Sequence, residues 1–340
     1  MQAGQVDTLN YLMGLIGYQL LRVLNPREGY CLIYLAGGLL FALAVMLWRR
    51  RGRRSLRGLW RLVGGPKLWA HRSTIVDVKL YLLNGVLVLT GYGLLEFSSE
   101  FWRGAAISCL GGLFGSRPPL AASPLVAGAI TTLVQVLALE FGYWTLHYAF
   151  HKIPAMWAIH RVHHSAEVMT PLTEWRQHPF EFIAFANVLT LAMGASYGAM
   201  SWLFGSGAQP FTLFQLNIVL VAHLLTFHHL RHSGVWIAAT GWLGRLVHSP
   251  AHHQIHHSTD PRHFDRNLGY ALSVFDWAFG TLWVPERRGR VNLGCDQPAH
   301  VGVFDSLLRP VSGGGAPIKL GLGVQGGAVI ERQRGPVEVG

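Results

Sequence analysis

HYAFHKIPAMWAIHRVHH, residues 147–164, places five histidines within eighteen positions, and it follows directly on a long apolar run. On an α-helix, positions i, i+3 and i+4 project from one face. His147 and His151 therefore share a face, as do His160, His163 and His164. The same spacing returns downstream as His228-x3-His232 in HHLRH and as His253-x2-His256-His257 in HQIHH. Ten of the 18 histidines thus fall into four sets spaced like metal ligands. A structural zinc closes with four ligands and a catalytic one keeps three, so ten imidazoles exceed one ion. They divide naturally between two metals with about five nitrogens each. Imidazole suits zinc, copper, iron or nickel, and spacing alone leaves the element open.

The sequence around these sets is that of a membrane protein. Of 340 residues, 51% are hydrophobic and 13% charged, with a mean hydropathy of +0.30. Soluble domains carry about 25% charged residues. Twelve Trp and ten Tyr suit interfacial belts. Apolar runs at 31–48, 80–95, 125–146, 182–204 and 211–227 are predicted spans, the last two joined by GSGAQP. Roughly 20 residues cross a hydrocarbon core, so the shorter runs need help from their flanks. AAISCLGGLFG (105–115) is too short to cross and reads as re-entrant or interfacial. Residues 1–20 lack a signal peptide's charged start and cleavage site, and read as an amphipathic lead-in at the membrane.

The net charge of +11 is concentrated between residues 49 and 79, where ten basic residues face one acid, Asp77. That excess directly follows the first span and places the loop in the cytoplasm by the positive-inside rule. It also accounts for the charge without a nucleic-acid partner. Counting spans from that loop brings all four histidine sets back to the cytoplasmic side. Cys31, Cys109 and Cys295 are scattered and form neither a disulfide framework nor a thiolate site. HExxH and CxxCH are absent, which removes the zinc protease and c-type haem readings.

The expected fold is all-α: an integral membrane bundle of four to five transmembrane helices. A cytoplasmic-face helical cap carries the histidine-rich di-metal site. Residues 1–124 form an N-terminal membrane region, 125–285 a catalytic domain, and 286–340 a Gly-rich flexible tail.

LEFGYWTLHYAFHKIPAMWAIHRVHHSAEVMTPLTEWRQHP (139–179) and HSPAHHQIHHSTDPRHFDRNLGYALSVFDWAFGTLW (248–283) resemble the fatty acid hydroxylase/sterol desaturase superfamily. The matching positions outside the histidines are Trp144, Ser165, Glu167, Asn267, Gly269, Asp276, Gly280 and Thr281. Tyr148 stands where an Arg is common, Glu140 where Asp is usual, and Asp276 precedes Trp277 rather than following it.

The resemblance implies a non-haem di-iron oxygenase that hydroxylates or desaturates a lipid C–H bond. It would use O2, two iron ions and a separate electron-donor protein. The lipid is a fatty acyl chain, sterol, sphingolipid or ether lipid. Carried over by position, the ligands are His147, His151, His160, His163, His164, His228, His232, His253, His256 and His257. His178, His229, His252, Glu167, Asn267 and Asp276 are candidates to orient ligand rings or water, with Glu174, Arg176 and Asp265 beside them. His248 and His263 fit either role, and His71, His223 and His300 stand outside the chemistry. The competing reading is a histidine-rich membrane metal transport or binding protein. That reading needs a polar path across the bilayer, whereas these ligands gather on one side. A haem electron carrier would need facing histidines within spans.

Overall fold

The computed structural model describes residues 23–29, 31–48, 65–89, 95–116 and 118–295, with Gly17, Leu21, Trp60 and Leu307 as single positions. The lead-in, most of the basic segment after residue 48 and the tail beyond 295 otherwise lie outside the described residues. His300 lies there too.

The architecture is helical: α1 Leu32–Trp48, α2 Arg72–Leu89, α3 Ser99–Phe114, α4 Pro124–Lys152, α5 Pro154–His164, α6 Pro179–Phe204, α7 Ile218–His223, α8 Gly241–Leu246, α9 Pro250–His256 and α10 Val274–Ala278. One two-stranded antiparallel hairpin, Thr212–Leu213 with Leu216–Asn217, turns the chain between α6 and α7.

Capping chemistry sets the two longest helices. Ser123 Oγ accepts from Val126 N and Pro124 fills the first helical position of α4. Its far end is fixed by Pro154, which forces Ile153 to extended geometry (ψ 117°) and starts α5 immediately. His178 Nδ1 accepts from Phe180 N ahead of Pro179 and caps α6. α4 and α6 are the two helices long and apolar enough to cross a membrane among the described residues. α1 and the stretch Ile218–Arg231 are apolar but shorter.

Two of the predicted spans come out differently. Residues 80–89 are the end of α2, a helix that packs beside the histidine-bearing half. Its Asp77 pairs with Arg176 at 2.9 Å, and its Asn84 donates to the Gln177 carbonyl at 3.0 Å. The chain then returns to Asn187 near the start of α6, which binds Leu95 O and Phe97 N. The helix beside α6 is α3, which contains the run read as re-entrant or interfacial and runs in the same direction as α6. α3 lies along α6 because Gly194 and Gly198 let backbones touch. A Cβ on Gly194 would sit 2.1 Å from Ser99 O, and one on Gly198 2.5 Å from Arg103 O. Such small-xxx-small stripes favour close helix pairs in lipid. The predicted span at 211–227 is also shortened, because Thr212–Asn217 is hairpin and the helix begins at Ile218.

α1 runs alongside the chain from Val221 to Ile237. Cys31 and Tyr34 pack with Val221 and Leu224 at one end, and Ala42 with Leu230, Val235 and Ile237 at the other. α4 and α7 ascend together to the end where α5, α9 and α10 form a head over the bundle.

Candidate metal centre

The head gathers nine of the ten predicted histidines into two adjoining clusters. His147, His151, His160, His164 and His256 bring one ring nitrogen each within 4.8 Å of the others. His163, His232, His253 and His257 do the same. All nine side chains are shielded from solvent, His151 least completely. The helices α5 and α9 each serve both clusters, whereas α4 gives His147 and His151 to the first alone. In α5, His160 and His164 (i, i+4) face the first and His163 the second. Around α9 the assignment is reversed, with His253 and His257 facing the second cluster and His256 the first. The clusters meet where His164 stacks on His257, their centroids 4.4 Å apart.

The hydrogen bonds determine which ring atom points inward. His147 Nδ1 donates to the Leu268 carbonyl (2.8 Å), His160 Nδ1 to Glu181 Oε1 (2.7 Å), His256 Nδ1 to the Arg266 carbonyl (2.9 Å) and His151 Nδ1 to Asp265 Oδ1 (3.3 Å). His232 Nδ1 lies 2.9 Å from Glu174 Oε2. With the proton on Nδ1, each Nε2 is a bare lone pair. Yet His147 Nε2 and His160 Nε2 lie 3.1 Å apart. His151 Nε2 and His256 Nε2 are buried with no hydrogen-bond partner at all. Lone pairs converging in a dry interior repel unless a cation lies between them. The donor set therefore fits a pair of metal ions.

Desolvation first, then repulsion from neighbouring imidazoles, pushes the pKa values of His160, His163, His164, His253, His256 and His257 well below the ordinary histidine value. These rings are neutral, as ligands must be. Burial alone would raise the Glu174 carboxyl. Arg231, which grips it through Nε at 2.8 Å and through Nη2, outweighs burial together with His228 and His232, and Glu174 is held well below its usual range. At Asp265 burial likewise opposes ionisation, and the bonds from His151 and Lys152 prevail.

His228 stands apart from both clusters. Leu224–His228 winds as a π-turn, only three helical residues follow, and His232 leaves the helix at φ −100°, ψ 65°. The i, i+4 alignment on which the pairing rested is lost across this stretch. His228 Nδ1 instead meets the Tyr270 hydroxyl at 3.1 Å. The anticipated five-and-five division is thus five and four.

The remaining candidates separate by what they touch. Asp276 accepts from Leu268 N (2.8 Å), Gly269 N (2.9 Å), Thr281 Oγ1 (2.6 Å) and Trp144 Nε1 (3.2 Å), so it fixes the loop whose carbonyl holds His147. Asn267, at φ 58°, ties that loop to the His252 and Trp283 carbonyls. With Asp265, also at φ 58°, it brackets the Arg266 carbonyl that receives His256. Arg176 donates to Val162 O, Ser165 Oγ and Asp77, bracing the end of α5. His252 faces away, bonding Ser249 and the Gly244 carbonyl, and burial lowers it to about 4. His178 caps α6, His229 lies against His228, and Glu167 is exposed. His248 is buried 3.8 Å from Asp276, His263 packs on Trp283, and His71 Nδ1 accepts from Ser73 N. His223 is buried against Tyr270, ring centroids 4.9 Å apart. Sequence reasoning missed Glu181 as the partner of His160. A lone acid at the head of an apolar helix was the available signal, since charge there is expensive.

Comparison with known proteins agrees with this geometry. Residues 132–281 match the protein-family model described as fatty acid hydroxylase. Human alkylglycerol monooxygenase is 30% identical over 149 residues, covering 43% of this chain and 29% of the human protein. The very-long-chain aldehyde decarbonylase GL1-1 of Oryza sativa subsp. indica is 29% identical over 202 residues, 54% of this chain and 30% of that one. Ornithine lipid hydroxylase OlsE of Rhizobium tropici is 25% identical over 187 residues, 54% and 51% respectively. The chain therefore spans about a third to a half of the length of these relatives. No solved structure matches it significantly.

Proposed function

From a chain whose residues 132–281 are a fatty acid hydroxylase family domain, we propose a multi-pass membrane oxygenase that oxidises a C–H bond of a membrane lipid at a di-iron centre on the cytoplasmic side. The observation that carries this reading is the pair of buried imidazole clusters with inward lone pairs. His147, His151, His160, His164 and His256 would hold one ion, and His163, His232, His253 and His257 the other. When bound, the ferrous pair supplies the reducing power that lets O2 attack an unactivated C–H bond. Hydroxylation consumes one O2, two electrons and two protons per alcohol and releases water, so an external electron donor is required.

The chain's own part is to hold and to exclude. Leu268 O, Arg266 O, Glu181, Asp265 and Glu174 keep the outer ring protons in place and the inner nitrogens free. On the bundle side of the clusters, Tyr143 packs 5.4 Å from His147, 4.9 Å from Phe185 and 5.2 Å from Tyr270. This aromatic wall keeps water from the centre and faces the direction from which an acyl chain arrives. A lipid substrate is supported by the relatives named as an alkylglycerol monooxygenase and an ornithine lipid hydroxylase.

Metal analysis of the purified chain should return two irons, and reconstitution with an electron donor under oxygen-18 should label a lipid product. His256→Ala should lose iron and turnover together. Tightly bound zinc without O2-dependent turnover would refute the assignment.

A further inference from the structure

The metal centre leaves one prominent surface of the head without a role. α8 and α10 present Trp242, Leu243, Leu246, Trp277 and Phe279 outward, with Trp242 67% and Phe279 55% exposed. Trp242 and Trp277 meet edge to face at 5.5 Å, and the Arg245 guanidinium lies over both, 5.0 and 5.6 Å from the ring centroids. A contiguous apolar patch with a cation set into it marks a docking surface.

This patch is continuous with the outer face of α4. Phe279 stacks on Trp144 at 4.5 Å, and Phe275 reaches the exposed Phe141 at 5.3 Å. Phe141 closes the stretch that begins at Pro124, whose outward residues are Leu125, Val126, Ile130 and Leu133. At 1.5 Å per residue that stretch is about 27 Å long, close to the roughly 30 Å of a hydrocarbon core. On α6 the same height is Val188, which lies against Gly142, and the polar Asn187 is next to it. From Val188 to Phe204 the leg again measures about 26 Å. Two antiparallel helices thus put a membrane boundary at one level, and the aromatic patch sits at that level. His147 is six positions beyond it on α4, about 9 Å further out.

We infer that α8 and α10 lie in the interface of the bilayer, with Trp242, Trp277 and Phe279 at headgroup depth and Arg245 against anionic phospholipid headgroups. The inference rests on the membrane-enzyme reading above. Rings with a polar edge settle at that depth, and basic residues are drawn to an anionic leaflet.

Spin-label depth measurement tests this on the full chain in nanodiscs of phosphatidylcholine with or without phosphatidylglycerol. Cys109→Ser and Cys295→Ser provide the background, and labels are placed at Leu243→Cys, Leu133→Cys and Arg262→Cys. The Leu243 label is expected to collide with O2 more than with an aqueous nickel complex, at a depth between the other two. Arg245→Glu should move it toward water in the phosphatidylglycerol discs only. A Leu243 label as aqueous as the Arg262 label, while Leu133 stays in lipid, overturns the inference and leaves the membrane reading intact. So does a label shielded from both quenchers, which would mean a protein partner. An equal response to Arg245→Glu in both discs removes the anionic-headgroup assignment. An aqueous Leu133 label would instead defeat the membrane reading itself. Iron content, read on the same preparations, reports independently on the oxygenase reading.

Discussion

At the residue scale, the histidines differ in what they do despite identical spacing. His256→Ala removes a ring whose buried Nε2 has no hydrogen-bond partner and faces the first cluster, whereas His228→Ala removes a partner of Tyr270. Elemental analysis should therefore show iron lost from the first variant and two irons per chain retained in the second. Glu181→Gln keeps the shape but weakens the grip on the His160 ring, and metal affinity should fall about 10- to 100-fold in a chelator competition. The sequence made nine histidines legible because helical periodicity is local. It offered Glu174 and Asp265 as partners for the rings but not Glu181, which reaches His160 across 21 positions. His228 falls outside both clusters, and nothing in HHLRH signals the π-turn that puts it there.

At the scale of elements, the close pairing of α3 with α6 depends on atoms that are missing. Gly198→Leu would drive a side chain into the Arg103 carbonyl, and overpacking of this kind costs about 1–3 kcal/mol. Unfolding of the variant in detergent should occur at correspondingly lower denaturant, while Gly111→Ala, with open space around it, should be neutral. Hydropathy singled out α4 and α6 because each is long and almost uniformly apolar. It could not place α2 or α3 against their neighbours, for one reason. A run of apolar residues reveals that a helix avoids water but not which neighbour covers it. Asp77 and Asn84 find Arg176 and Gln177 in the head, while the glycine stripe that holds α3 belongs to a helix some ninety residues later.

At the scale of the molecule, stability and pH are linked through the buried rings. His160, His163, His164, His253, His256 and His257 hold pKa values below the unfolded value of 6.5. Below that pH the unfolded chain takes up protons that the folded chain refuses. Their contribution is complete above about pH 6.5 and declines by about 1.4 kcal/mol per ring for each unit of acidification. Thermal unfolding of the metal-free chain should be level from pH 8 to 7 and drop steeply from 6.5 to 5.5; a flat profile there would contradict the burial of these rings. The way α5 and α9 divide their histidines has a further consequence. The two ligand sets are distinct but share α5 and α9, so filling one cluster would fix the helices that complete the other. Occupancy is therefore coupled, and by reciprocity each ion raises the affinity of its neighbour. Native mass spectrometry during iron titration should show chains carrying none or two, with the singly loaded form scarce throughout.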